Sequence, residues 1–194
     1  MYRAAAIKAL ETKLDLQSGD LEARLKQMLD RAQIHFDGQR IMLDGRDVSR
    51  EISAPAISDL ASRLSTLAAV RTHMRDLQRR MGEHGGVVME GRDIGTAVFP
   101  DAEFKFFLDA DVEVRARRRY VELAAKRVPT TFNEVLQQLR ERDVRDRGRA
   151  LAPLKRADDA VLIDTTNLEA DQVVNQMKSL ILAGGNAGKG LKRN

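Results

Sequence analysis

Val87-Val88-Met89-Glu90-Gly91-Arg92-Asp93-Ile94-Gly95-Thr96 is the stretch whose reading decides the fold. A short apolar run passes directly into an acid, a glycine, an arginine and a second acid. That pattern predicts a buried parallel strand delivering charge to its carboxyl end, where open α/β sheets bind ligands. Gly91 and Gly95 allow the backbone a sharp turn or a close approach that a Cβ would hinder. Arg92 offers a planar fork suited to phosphate, and Asp93 sets two acceptor oxygens beside it. The plainer alternative is a strand end carrying a solvated ion pair.

Two later stretches repeat the design. Phe104-Lys105-Phe106-Phe107-Leu108 runs into Asp109-Ala110-Asp111, and Ala160-Val161-Leu162-Ile163 runs into Asp164-Thr165-Thr166. Three apolar strands with helical segments between them argue for one polar rim on a mostly parallel sheet. For Asp109 and Asp164 the preferred reading is simpler: each caps a following helix.

Bulk properties narrow the class. The chain has 194 residues, enough for one substantial core with a small insertion. It is 43% hydrophobic and 32% charged, with no run near the ~20 apolar residues of a membrane span. No secretory signal precedes the first helical sequence, and the absence of cysteine removes disulfides, thiolate nucleophiles and thiolate zinc sites. This composition suits a cytoplasmic protein. A formal charge of +4 from 33 basic and 29 acidic side chains is a mild bias toward anionic ligands. With two tyrosines and six phenylalanines, none in a basic stripe, base stacking on a nucleic-acid surface is disfavoured.

In order along the chain, Tyr2 to Leu16 reads as helix, with Ala5, Leu10 and Leu14 among its apolar positions, and has no N-cap residue before it. Leu21 to Ala32 is a short amphipathic helix. Asp37-Gly38 and Asp44-Gly45 separate Ile34-His35-Phe36, Arg40 to Leu43 and Arg46 to Val48, which predicts a three-stranded antiparallel meander with His35 on its surface. Pro55 to Met81 reads as two helices meeting near Leu67 to Val70; on spacing alone Ser62 is a solvated helix residue and Arg71 part of a charged face. Val112 to Val128 is helical, and a further helix restarts after Pro129-Thr130-Thr131 and runs to about Arg147. On it Arg142, Asp146 and Arg149 share a face if the helix reaches that far. An exposed lattice of ion pairs is the bland account, but Arg140 to Arg149 holds five arginines against three acids. The last helix, Leu168 to Ala183, turns Val173, Met177, Leu180 and Ile181 inward, and the glycine- and lysine-rich residues 184–194 read as a disordered tail.

Together these motifs resemble the bacterial cytidylate kinases, nucleoside monophosphate kinases of the P-loop superfamily. The resemblance rests on Gly91 to Ala102, Lys105 to Ala110, Gly45 to Ile52, Arg142-Asp143 with Asp146 and Arg149, Ala152-Pro153-Leu154, and Asp158 to Thr166. It implies an α/β fold: a parallel sheet flanked by helices, with the meander as a small insertion in a monophosphate-binding region of about residues 21–66, inside a domain spanning 1–183. It implies phosphoryl transfer from ATP, with Mg²⁺, to CMP or dCMP by a cytoplasmic monomer that needs neither nucleic acid nor membrane. The phosphate of the monophosphate would meet Arg3, Arg92 and Arg149, the ribose Arg142 and Asp146, and the cytosine edge Ser62, Arg71 and Asp93. Arg115, Arg119 and Arg145 would serve as lid or transfer-site charges, and Glu90 would order metal-bound water.

The family also begins with a strand, a glycine-rich phosphate loop, a helix and a second strand that this sequence does not show, so Met1 reads as an internal methionine of the pattern. The expectation is a sheet without its first two strands, with an open gap or an improvised closure between the segments at Val87 and Phe104. A chain without that loop is expected not to catalyse transfer. Ala183 to Gly190 spells something close to a phosphate loop, but it follows a helix where the motif needs a strand. Two other readings stay open: a non-catalytic fragment that binds a pyrimidine monophosphate, and a basic protein that binds nucleic acid non-specifically.

Overall fold

The computed structural model describes residues 1–188, and its chain divides into two compact units. The first contains Met1–Val98 together with Arg145–Leu154; the second contains residues 99–144 and the chain from Lys155 on.

In the first unit the order is α1 (Tyr2–Glu11), α2 (Leu21–Arg31), β1 (Ile34–Asp37), β2 (Arg40–Leu43), β3 (Arg46–Asp47), α3 (Pro55–Leu64) and α4 (Ala68–Met81). The meander forms as the two Asp-Gly turns require: β1 pairs antiparallel with β2 and β2 with β3. Asp44 itself takes a positive φ of 50° before Gly45 at 80°. Its carboxylate is tied to the Gln33 amide and to Lys8, which pins the sheet to α1. The buried face of α1 is built from Ala4, Ala5, Ala6, Ile7 and Ala9, small enough to lie close against α3. Leu25 and Leu29 of α2, Leu64 of α3, and Val70 and Met74 of α4 complete this core. Pro55 opens α3 at a position where its missing N–H costs nothing.

The second unit has β4 (Phe106–Asp109), α5 (Val112–Ala125), the bulk of α6 (Phe132–Gly148), β5 (Val161–Asp164) and α7 (Ala170–Gly188). β4 and β5 pair in parallel, Phe106 opposite Val161 and Asp109 opposite Asp164. Ala116, Leu123 and Val135 form a small core between α5 and α6, with Tyr120 edge-on to Phe132 at 6.5 Å. No described helix is long and apolar enough to cross a membrane.

Several expectations are corrected. Val87 to Glu90 is not a strand: it is irregular, with Val88 100% exposed, and it follows Gly85 and Gly86 at φ 68° and 66°. Apolar content alone does not make a strand; a ladder partner must accept its backbone groups, and no described strand pairs with it. The described parallel sheet has two strands, and Leu108, Val161 and Leu162 on it remain exposed, whereas larger parallel sheets are covered on both faces. α1 stops at Glu11, five residues early, where Lys13 turns to φ 50°. Asp111, not Asp109, caps α5 by accepting from the Glu113 and Val114 amides. Asp164 closes a turn onto the Thr166 amide and lies six residues before α7. On α7, Val173 is buried, while Leu180 and Ile181 are more than a third exposed. α7 also runs on to Gly188; the remainder of the expected tail, with Lys189 and Gly190 of the phosphate-loop look-alike, lies outside the described residues.

Candidate functional site

Long-range folding of the first unit gathers residues that the sequence scatters over 78 positions, from Arg71 to Arg149. Arg71 leaves α4 buried, donates through Nη2 to the Asp93 carboxylate and through Nη1 to the Ser65 carbonyl at 3.1 Å. Ser65 in turn donates to the Ser62 carbonyl at 2.7 Å, so the end of α3 and the start of α4 are tied into one surface. The other oxygen of Asp93 lies 3.8 Å from Arg149 Nη2, and Arg149 Nη1 lies 3.7 Å from Asp146. Asp146 Oδ2 then faces Arg92 Nε at 3.3 Å. The result is an alternating array, Arg71–Asp93–Arg149–Asp146–Arg92, with three cations and two anions.

Its electrostatics favour an anion. Asp146 and Arg149 side chains are 3% and 4% exposed, while Arg92, at 37%, is the open member. Burial, and next the nearby Arg71, push the Arg149 guanidinium below the usual arginine range. A cation held against that penalty, in an array with one positive charge left over, is relieved by a phosphate. Arg149 is fixed by Nε donating to the Ala152 carbonyl at 2.6 Å, and the Leu154 amide returns to the Asp146 carbonyl at 2.8 Å. This is the structural use of Ala152-Pro153-Leu154. Gly91 is required sterically, since a Cβ there would stand 2.7 Å from Ile94 Cγ1.

Other expected residues fall as follows. Ser62 is buried rather than solvated, and its hydroxyl meets Arg145 Nη1 at 2.9 Å. Arg145 also pairs with Asp59 at 3.2 Å, which places it on the α3 surface. Arg3 donates to the Ile52 carbonyl at 3.0 Å. Arg142 stands one turn before Asp146 on α6. In the second unit, Arg115 forms a two-point pair with Asp143, which holds it above the usual arginine range, and Arg119 pairs with Glu122. Glu90 is exposed in the irregular run, and among the described residues no hydrogen bond or ion pair ties it to the array.

Sequence reading missed Tyr2. It is half-buried and shares the field of Arg71, Asp93 and Arg149; burial pushes its hydroxyl up and Arg71 draws it back, so it stays a neutral donor. The signal was present in a tyrosine directly before Arg3 on an alanine-faced helix. Among the described residues no group of three histidine or carboxylate side chains converges to hold a metal.

The cytidylate kinase family model matches residues 1–182, almost the whole described chain. The chain belongs to the cytidylate kinase family. It is 44% identical over 181 residues to the cytidylate kinase of Caldanaerobacter subterraneus subsp. tengcongensis, covering 93% of this chain and 80% of that protein. The cytidylate kinase of Syntrophotalea carbinolica is 46% identical over 185 residues, covering 93% and 77%. Cytidylate kinase 1 of Haemophilus influenzae is 42% identical over 182 residues, covering 93% and 79%. Membership in the cytidylate kinase family makes this an α/β nucleotide-binding kinase, and it places the charged array in a family whose members act on nucleotides.

Proposed function

We propose that the array binds CMP or dCMP as the acceptor of a phosphoryl group from ATP. The observation that carries this reading is the buried Arg71–Asp93 pair continued through Arg149 and Asp146 to the open Arg92. Cytosine presents an amino donor at N4 and acceptors beside it; Asp93 accepts from the first, and Arg71 with Ser62 donates to the others. Arg92, Arg149 and Arg3 take the phosphate, while Asp146 and Arg142 hold the ribose. The protein's work is then positioning and fixed charge, which is most of what phosphoryl transfer asks of a kinase. Mg²⁺ is taken to arrive on the ATP phosphates.

A second reading applies to the 194 residues by themselves: they bind the monophosphate without transferring to it. The solvent-exposed Val87 to Glu90 run and the two-stranded parallel sheet support it, because a donor site at a strand end needs a paired strand. Non-specific nucleic-acid binding has less support, since each buried arginine of the array faces an aspartate.

Titrating each nucleoside monophosphate into the chain by calorimetry tests the acceptor reading. CMP and dCMP are expected to bind tightest; UMP or AMP binding better would sink it. Asp93→Asn is expected to keep a cooperative melt while narrowing the CMP-over-UMP preference by about 10- to 100-fold, because an amide offers a donor to the uracil O4 that a carboxylate repels. Equal fractional losses with both ligands would show that Asp93 does not read the base.

A further inference from the structure

We propose that Arg79, outside the array, is a positioning residue that sets where Asp93 presents its carboxylate; this rests on the cytosine-reading role given to Asp93 above. After Asp93 the chain makes a single π-helical turn, Ile94–Val98. Such turns are rare, and their looser ladder needs outside support. Here the Asp93 carbonyl alone accepts from three amides, Ala97 at 2.9 Å and Thr96 and Val98 at 3.3 Å. The other end of the turn is held from α4: Arg79 Nε donates to the Val98 carbonyl at 2.9 Å and Nη2 to the Ala97 carbonyl at 3.1 Å.

Arg79 and Arg71 therefore grip one turn from one helix. They stand eight residues apart on α4, about 12 Å along its axis. Arg71 binds the side chain of Asp93 at the start of the turn, and Arg79 binds the carbonyls at its end, where a cation is favoured. With one end loose, Asp93 would still pair with Arg71 but could slide toward the solvent and accept a wider range of donors. The fork geometry matters, since two adjacent carbonyls are met by two nitrogens of one plane, which a lysine cannot match.

The test uses the full chain and equilibrium binding. Arg79→Ala is expected to weaken CMP binding about tenfold, to narrow the CMP-over-UMP ratio, and to speed hydrogen exchange of the Thr96 to Val98 amides. Arg79→Lys, which restores one donor, is expected to fall between the two, and with Arg79→Gln it carries the test if the alanine variant does not fold. A role confined to stability would lower the melting temperature and leave the ratio untouched. Wild-type selectivity for CMP with an unchanged ratio and unchanged exchange in the variants overturns the role of Arg79 alone. A wild-type chain with no preference for CMP overturns the acceptor reading itself, and the base-reading role of Arg79 with it.

Discussion

Mixed with ATP, Mg²⁺ and CMP, the purified 194-residue chain is expected to form no ADP above a no-protein control while still binding CMP. Kinases turn over at roughly 1–100 per second, so a loss of about a thousandfold or more is easily read. The donor's β- and γ-phosphates need backbone N–H groups aimed at them from a strand-to-helix loop. Arg71, Arg149 and Arg92 belong to the acceptor array, while Arg115 pairs with Asp143 and Arg119 with Glu122. The glycines near Ala183 do not supply the loop. Through Gly188 that segment is part of α7, whereas the motif needs a loop that leaves a strand and opens a helix. Gly184 has a packing role instead, since a Cβ there would come within 3.1 Å of the Phe104 ring. CMP-dependent ADP formation by a mass-verified chain would overturn the expectation.

Arg149→Ala is expected to cost about 100-fold or more in CMP affinity and much less in cytidine affinity. Truncating one partner of a buried charged contact costs about 2–5 kcal/mol, and here the phosphate loses a cation that burial has removed from water. Asp93 keeps Arg71 and Asp146 keeps Arg92, so neither carboxylate is orphaned. Arg149→Lys should recover part of the loss, as charge without the planar fork. Calorimetry with CMP and cytidine side by side is decisive: equal losses for both would place Arg149 under the nucleoside and away from the phosphate.

Local signals carried as far as local physics does. The Asp-Gly turns placed the meander because a two-residue turn fixes its own strands, and the break between α3 and α4 fell where expected. Pairing is another matter. Val87 to Glu90 has the composition of a strand, yet composition does not say what lies alongside, and the structure leaves the run in solvent. The cap of α5 was missed by a small margin for a similar reason: Asp109 and Asp111 are equally good caps two residues apart, and the helix start chose Asp111. The array was legible only through resemblance. Nothing in the spacing of Arg71, Asp93 and Arg149 predicts that they meet, and on pattern alone Arg71 read as part of a charged face. Arg79 left even less trace, since a pair of arginines in the last turn of a helix reads as a solvated end.

The run from Gly85 to Glu90 also has a biochemical use. Entered through two left-handed glycines, unpaired and lying open to solvent, it is open to a protease cleft, which takes its substrate as an added strand. A glutamyl endopeptidase cutting after Glu90 would leave Arg71 and Asp93 on different fragments, held together by non-covalent contacts such as Arg71 to Asp93 and Arg79 to the Ala97 and Val98 carbonyls. Nucleotide bridging the two should slow the separation of the fragments, so the lifetime of the nicked complex becomes a gauge of site occupancy that needs no turnover at all.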